Sequence, residues 1–100
     1  MVRHIVLWNY ADGFTAKQNA QNAATAKERF EALKGKLPGI ITLSVKILPL
    51  DGSSMDIMLD STFETLQDLH NYQQHEEHEK IVAFMRTAFT GRQWIDFDME

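Results

Sequence analysis

The sequence predicts an α+β fold of order β-α-β-β-α-β. Three observations lead there. Apolar and polar residues alternate at both ends of the chain and through a central pair of runs, as in strands. Apolar residues at helical spacing fill the two stretches between them. Glycine and proline fall at the boundaries: Asp12-Gly13, Pro38-Gly39 and residues 49–54.

Residues 2–10 form the first predicted strand. Val2, His4, Val6 and Trp8 fall on one face, Arg3, Ile5, Leu7 and Asn9 on the other, so both faces are at least partly covered. Thr15 with Gln18 has the form of a capping box and opens a long helix to about Leu37. Its stripe is Ala20, Ala23, Ala26 or Lys27, Phe30, Leu33 and Leu37. The small side chains of its first half let it lie close to whatever it covers.

A second strand runs from Ile40 to Leu48, with Ile41, Leu43, Val45 and Ile47 on one face. The turn over residues 49–54 leads into a third strand, Met55 to Phe63. Met55, Ile57, Leu59 and Phe63 lie on one side, Asp56, Met58, Asp60 and Thr62 on the other, and the short connection predicts an antiparallel hairpin. Thr65 caps a helix to about His75. Glu76-Glu77-His78 start a second, offset helix with the stripe Ile81, Val82, Phe84 or Met85, and Phe89, and Gly91 ends it. Arg92 to Met99 alternates again, Ile95, Phe97 and Met99 against Trp94, Asp96 and Asp98.

This order reads as a ferredoxin-like α+β fold, an antiparallel sheet with helices on one face. The sheet then has a second face. The alternation assigns Val6, Trp8, Met58 and Trp94 to it, too apolar a set to leave bare. A second copy of the chain covering that face gives a homodimer, with an α+β barrel closed or nearly closed between the two sheets.

Composition narrows the function classes. The 100 residues make one domain, 1–100. The net charge of −4 and the scattered Lys and Arg argue against nucleic-acid binding. With no cysteine there is no disulfide framework and no thiol chemistry. The N-terminus lacks the apolar run of a signal peptide, and no segment reaches the ~18 apolar residues of a membrane helix. A cytoplasmic protein, free of membrane, is the expectation. No glycine-rich phosphate loop, P-loop or GxSxG motif occurs, which weighs against nucleotide and serine-hydrolase chemistry, and no cofactor is expected.

The chemistry-bearing stretch is residues 72–78, Tyr-Gln-Gln-His-Glu-Glu-His, which holds two of the four histidines. In a continuous helix Tyr72, His75 and His78 share one flank, and a phenol with two imidazoles can donate, accept and move protons near neutral pH. His75 lies at a helix C-terminus and suits the dipole there. His70 reads as a surface residue. The His75-x-x-His78 spacing, even with His4, falls short of a zinc pattern, so no metal is expected.

Several segments together resemble the stress-responsive A/B barrel family, the Dabb domain. They are residues 3–8, Leu37-Pro38-Gly39-Ile40, Asp56 to Leu59 running into Thr62-Phe63, residues 72–78, and residues 95–98. The resemblance covers nearly the whole chain and implies a dimeric α+β barrel. A plant relative, olivetolic acid cyclase, closes a linear polyketide into a ring by an aldol step. By that likeness His78 matches a general base, Tyr72 the tyrosine that holds the reacting carbonyl oxygen, Asp96 an aspartate that orients His78, and His4 a histidine lining the cavity. Glu76 stands where the commonest family sequence has proline. The cyclase's cavity tyrosine on the first helix has no counterpart, so its substrate is not implied.

The chemical expectation is then a pocket for a small, partly apolar carbonyl compound, lined by His4, Val6, Trp8 and Met58. In it His78, oriented by Asp96, abstracts a proton while the Tyr72 hydroxyl steadies the enolate oxygen. Two other readings stand beside it. One is a non-catalytic stress-related or ligand-binding dimer, in which His78 staples the helix break. The other is a cofactor-independent monooxygenase of the neighbouring barrel families.

Overall fold

The computed structural model describes all 100 residues. Strand β1 (Val2–Tyr10) is followed by helix α1 (Ala16–Glu31), a 3-10 turn (Ala32–Gly35), and strands β2 (Ile40–Lys46) and β3 (Ile57–Phe63). Helices α2 (Leu66–Gln74) and α3 (Glu76–Ala88) and strand β4 (Phe89–Asp98) complete the chain. The four strands form one antiparallel sheet in the order β2-β3-β1-β4. No helix is long and apolar enough to cross a membrane.

Local sequence explains the elements. The Thr15 side chain accepts from the Gln18 N–H at 3.1 Å and the Gln18 side chain accepts from the Thr15 N–H at 2.9 Å, so the capping box starts α1. Ala23, Ala26 and Phe30 form its buried stripe. Gly39 turns the chain into β2 with φ +83°, and a Cβ there would strike the Asp68 side chain. Glu31 ties α1 to the free edge of the sheet, accepting from Lys27 Nζ at 2.7 Å and from the Val45 N–H at 2.9 Å. Burial by itself would raise the Glu31 pKa, but these hydrogen bonds outweigh it and lower it.

Cross-strand register defines the two faces of the sheet. One row runs Val45, Leu59, Val6, Trp94; the next runs Leu43, Ser61, His4, Asp96. This face lies under the helices, and His4, Val6, Trp8, Leu59 and Phe63 are all buried. The opposite face carries the rows Lys46, Met58, Leu7, Gln93 and Ser44, Asp60, Ile5, Ile95. Val6 and Trp8 are therefore core residues under the helices, not part of the open face as the alternation suggested. Met58 is on the open face and cannot line a pocket with them. Trp94 also points to the helix side, but at the edge strand, where it remains exposed.

Three local departures have identifiable causes. A register shift between Ile40 and Thr42 turns Ile40 inward beside Leu43 and Val45 and leaves Ile41 half-buried. The connection between β2 and β3 is an open loop over residues 47–56 rather than a tight turn. Gly91 does not end a helix. It lies inside β4 with φ +66°, opposite the irregularity between Leu7 and Asn9.

Candidate functional site

The break between α2 and α3 builds one wall of the site. His75 is extended, φ −70° and ψ 140°, and serves as C-cap of α2 and N-cap of α3. Its Nδ1 accepts from the Glu77 N–H at 3.0 Å, so its side chain caps the start of α3 rather than answering the dipole of α2. Glu76, Glu77 and Glu79 fill the first turn of α3, where negative charge is favourable.

His78 follows, half-buried in that first turn. Its Nδ1 lies 3.2 Å from the Gln73 carbonyl, one of the terminal carbonyls that α2 leaves without a helical partner. A carbonyl only accepts, so Nδ1 carries the proton and Nε2 keeps the lone pair. The ring packs on Tyr72 with centroids 4.4 Å apart. Burial pulls the His78 pKa down to about 4, the charges of His4 and Arg92 add to that, and the Gln73 carbonyl works against it. At neutral pH His78 is an uncharged imidazole with a free basic nitrogen.

Asp96 does not orient His78. It shares a row with His4 across β1 and β4, and its Oδ1 is hydrogen-bonded to His4 Nδ1. The expected carboxylate–imidazole couple therefore exists with a different imidazole. His4 is 2% exposed, and its own carbonyl accepts from Ser61 Oγ at 2.8 Å. Tyr72 is buried against Phe63, with centroids 5.0 Å apart, and edge-on to His4 at 6.4 Å. Its hydroxyl is buried without a hydrogen-bond partner. Burial raises its pKa, so the phenol stays protonated.

A cavity of about 680 Å³ opens in front of these groups. The sheet contributes His4, Val6, Trp8 and Leu59; α1 contributes Phe30; α3 contributes His78 and Val82. Tyr72 and Asp96 are not in the cavity wall and stand behind His78 and His4 respectively. Both histidines that line the cavity thus rest on a second group.

Arg86 and Arg92 also line it, and sequence reasoning passed over both. Their signals were present. His78, Val82, Met85 and Arg86 recur at one-face helical spacing, and Arg92 alternates in phase with Trp94 and Asp96. The Arg92 guanidinium lies 4.4 Å over the Trp94 ring.

Comparison with solved structures finds the same architecture elsewhere. A dimeric ferredoxin-like protein of unknown function from Bacteroides fragilis superposes with TM-score 0.90 at 28% identity, over 98% of this chain and 95% of that one. A dimeric ferredoxin-like protein of unknown function from Thermobifida fusca gives TM-score 0.80 at 20% identity, over 98% and 90%. A hydroxynitrile lyase from Passiflora edulis gives 0.75 at 16% identity, over 99% and 93%. No curated protein matches the chain. The model of the stress responsive A/B barrel domain matches residues 2–99, and the chain belongs to that family.

Proposed function

We propose that the chain is a homodimeric α+β barrel that binds a small, partly apolar carbonyl compound in its cavity and moves a proton on it without a cofactor. The observation that carries this reading is His78: a neutral imidazole with its tautomer fixed by Gln73 and its basic Nε2 free, in the wall of a 680 Å³ cavity. His78 takes the proton next to the carbonyl. Tyr72 backs the His78 ring; its hydroxyl is buried and lies outside the cavity wall, so it positions that ring rather than meeting the ligand. His4, anchored by Asp96, is the second proton-carrying group on the opposite wall. One named neighbour, the Passiflora lyase, is an enzyme; at 16% identity it supports the fold alone. The His78–Gln73 bond also supports the competing reading, a non-catalytic binding dimer, because it joins the two helices whether or not a ligand is present.

Deuterium exchange decides between them. An aryl methyl ketone in D2O exchanges its α-protons faster with the protein than in buffer, and His78→Ala returns the rate to that of buffer. Equal rates for wild type and His78→Ala leave only the binding dimer. The homodimer itself is supported by the half-bare apolar face with Ile95 57% and Phe97 41% exposed, and by the dimeric Bacteroides neighbour. Sedimentation that finds only an 11.5 kDa species contradicts it.

A further inference from the structure

Two guanidiniums line the cavity without a carboxylate partner. The ion pairs of the chain are Arg3–Asp60, His4–Asp96, Lys27–Glu31, and Lys80 with Glu76 and Glu77. Arg86 and Arg92 belong to none of them, and both border the cavity. Arg86 has a structural use as well, since it lies in the last turn of α3, where a cation suits the helix dipole. Arg92 is on a strand and has no such use. Stacking on Trp94 at 4.4 Å holds its planar fork in place, leaving its N–H donors for another group.

The charge of Arg92 reaches the proton-transfer end of the cavity. It adds to the depression of the His78 pKa and works against burial at Tyr72. The one carboxylate in the wall, Glu79, sits next to His78 at the start of α3. Arg86 lies seven residues further on, about 10 Å along the helix axis. The cavity is thus acidic towards the first turn of α3 and basic towards its last turn and β4. A neutral carbonyl compound uses only the histidine end.

Resting on the proton-transfer reading above, we infer that the ligand is a ketone that also carries a carboxylate. Arg92, with Arg86 also in the cavity wall, takes the carboxylate as a two-pronged donor, while the carbonyl lies at His78. Arg86, about two turns of α3 beyond His78, gives a carboxylate near it room to lie several bonds from the ketone.

The test compares γ-benzoylbutyrate, its methyl ester and inorganic phosphate by calorimetry at low salt, with the His78 ring protons followed by NMR. The acid is expected to bind at least about tenfold more tightly than the ester, the gain typical of a hydrogen-bonded charge. Arg92→Gln removes that preference, so that acid and ester bind alike, Arg92→Lys keeps part of it, and Arg86→Gln weakens it less. Acid and ester binding equally, with the His78 signals moving for both, overturns the carboxylate inference and leaves the pocket reading intact. A preference that survives both glutamine variants also overturns it. So does phosphate that binds as tightly as the acid and competes with it, because the site then takes any oxyanion. Failure of wild type to bind either probe contradicts this inference and the proton-transfer reading together.

Discussion

Two neighbouring residues of β3 separate the two faces of the sheet. Leu59 is 1% exposed under the helices, in a row with Val6 and Val45. Met58, one residue earlier, pairs with Leu7 on a face that no helix covers and remains half-buried. The same alternation produces both, yet only one face gains the helical roof that makes a core and a cavity. A local reading of apolar residues does not tell the two apart, because the open face also carries Ile5, Leu7, Ile95 and Phe97, interleaved with Ser44, Lys46, Asp60 and Gln93. What distinguishes them is which side the crossover helices pack on, and the cavity follows the helices.

The largest effect that can break this comparison is on stability. Leu59→Ala is expected to cost ~2–5 kcal/mol by leaving a cavity in a packed core, whereas Met58→Ala costs within about 1 kcal/mol for the isolated chain. Thermal unfolding measures both; equal losses would mean that the open face is packed as tightly as the roofed one.

The next effect is pH dependence, and it belongs to the roofed face alone. The His78 pKa is held at about 4 in the folded chain, below its ordinary 6.5. The unfolded chain therefore binds more protons between these values, so stability is full above about pH 6.5 and falls as the pH drops towards 4. The loss is at most ~3.5 kcal/mol, since each tenfold change in proton affinity is worth about 1.4 kcal/mol. Denaturant melts across that range should show it, and His78→Leu should flatten that part of the curve. A wild-type midpoint that stays level from pH 7 to pH 4 contradicts the buried neutral imidazole.

Asp96→Asn sharpens the comparison within the site. It weakens the bond to the buried His4 and is expected to cost ~1–3 kcal/mol, the usual penalty for disturbing a charged hydrogen bond. It should leave the neutral-state proton of His78 on Nδ1, where Gln73 holds it. A change of the His78 tautomer in this variant would restore the pairing that the family likeness implied.

The smallest effect tests how the roof is tied on. Glu31→Ala frees the Val45 N–H at the sheet edge and should cost about 1 kcal/mol in a urea melt. No change would mean that packing alone holds α1 to β2.

Element order, the Thr15–Gln18 box and the split of the last helix could be read from the sequence because each depends on residues within a few positions of one another. The site could be read only in part. His78 and His4 both line the cavity. The partner of Asp96 depends on the register of β4 against β1, which joins residues 92 positions apart, and no local pattern sets it. The misplacement of Met58 had the same origin: period-two alternation fixes which residues share a face but not which face is roofed. His75 differed for a local reason, since a residue that ends one helix and starts the next can serve either end, and here its side chain caps the second.

The proposed chemistry stands or falls on the state of one ring. Nitrogen-15 NMR of labelled histidine, followed from pH 8 to pH 3, reads the protonation of each His78 nitrogen separately. The geometry places the neutral-state proton on Nδ1 and leaves Nε2 bare, and burial holds the charging midpoint below the ordinary 6.5, down to about 4. A ring that is charged at pH 7, or that carries its neutral-state proton on Nε2, contradicts it.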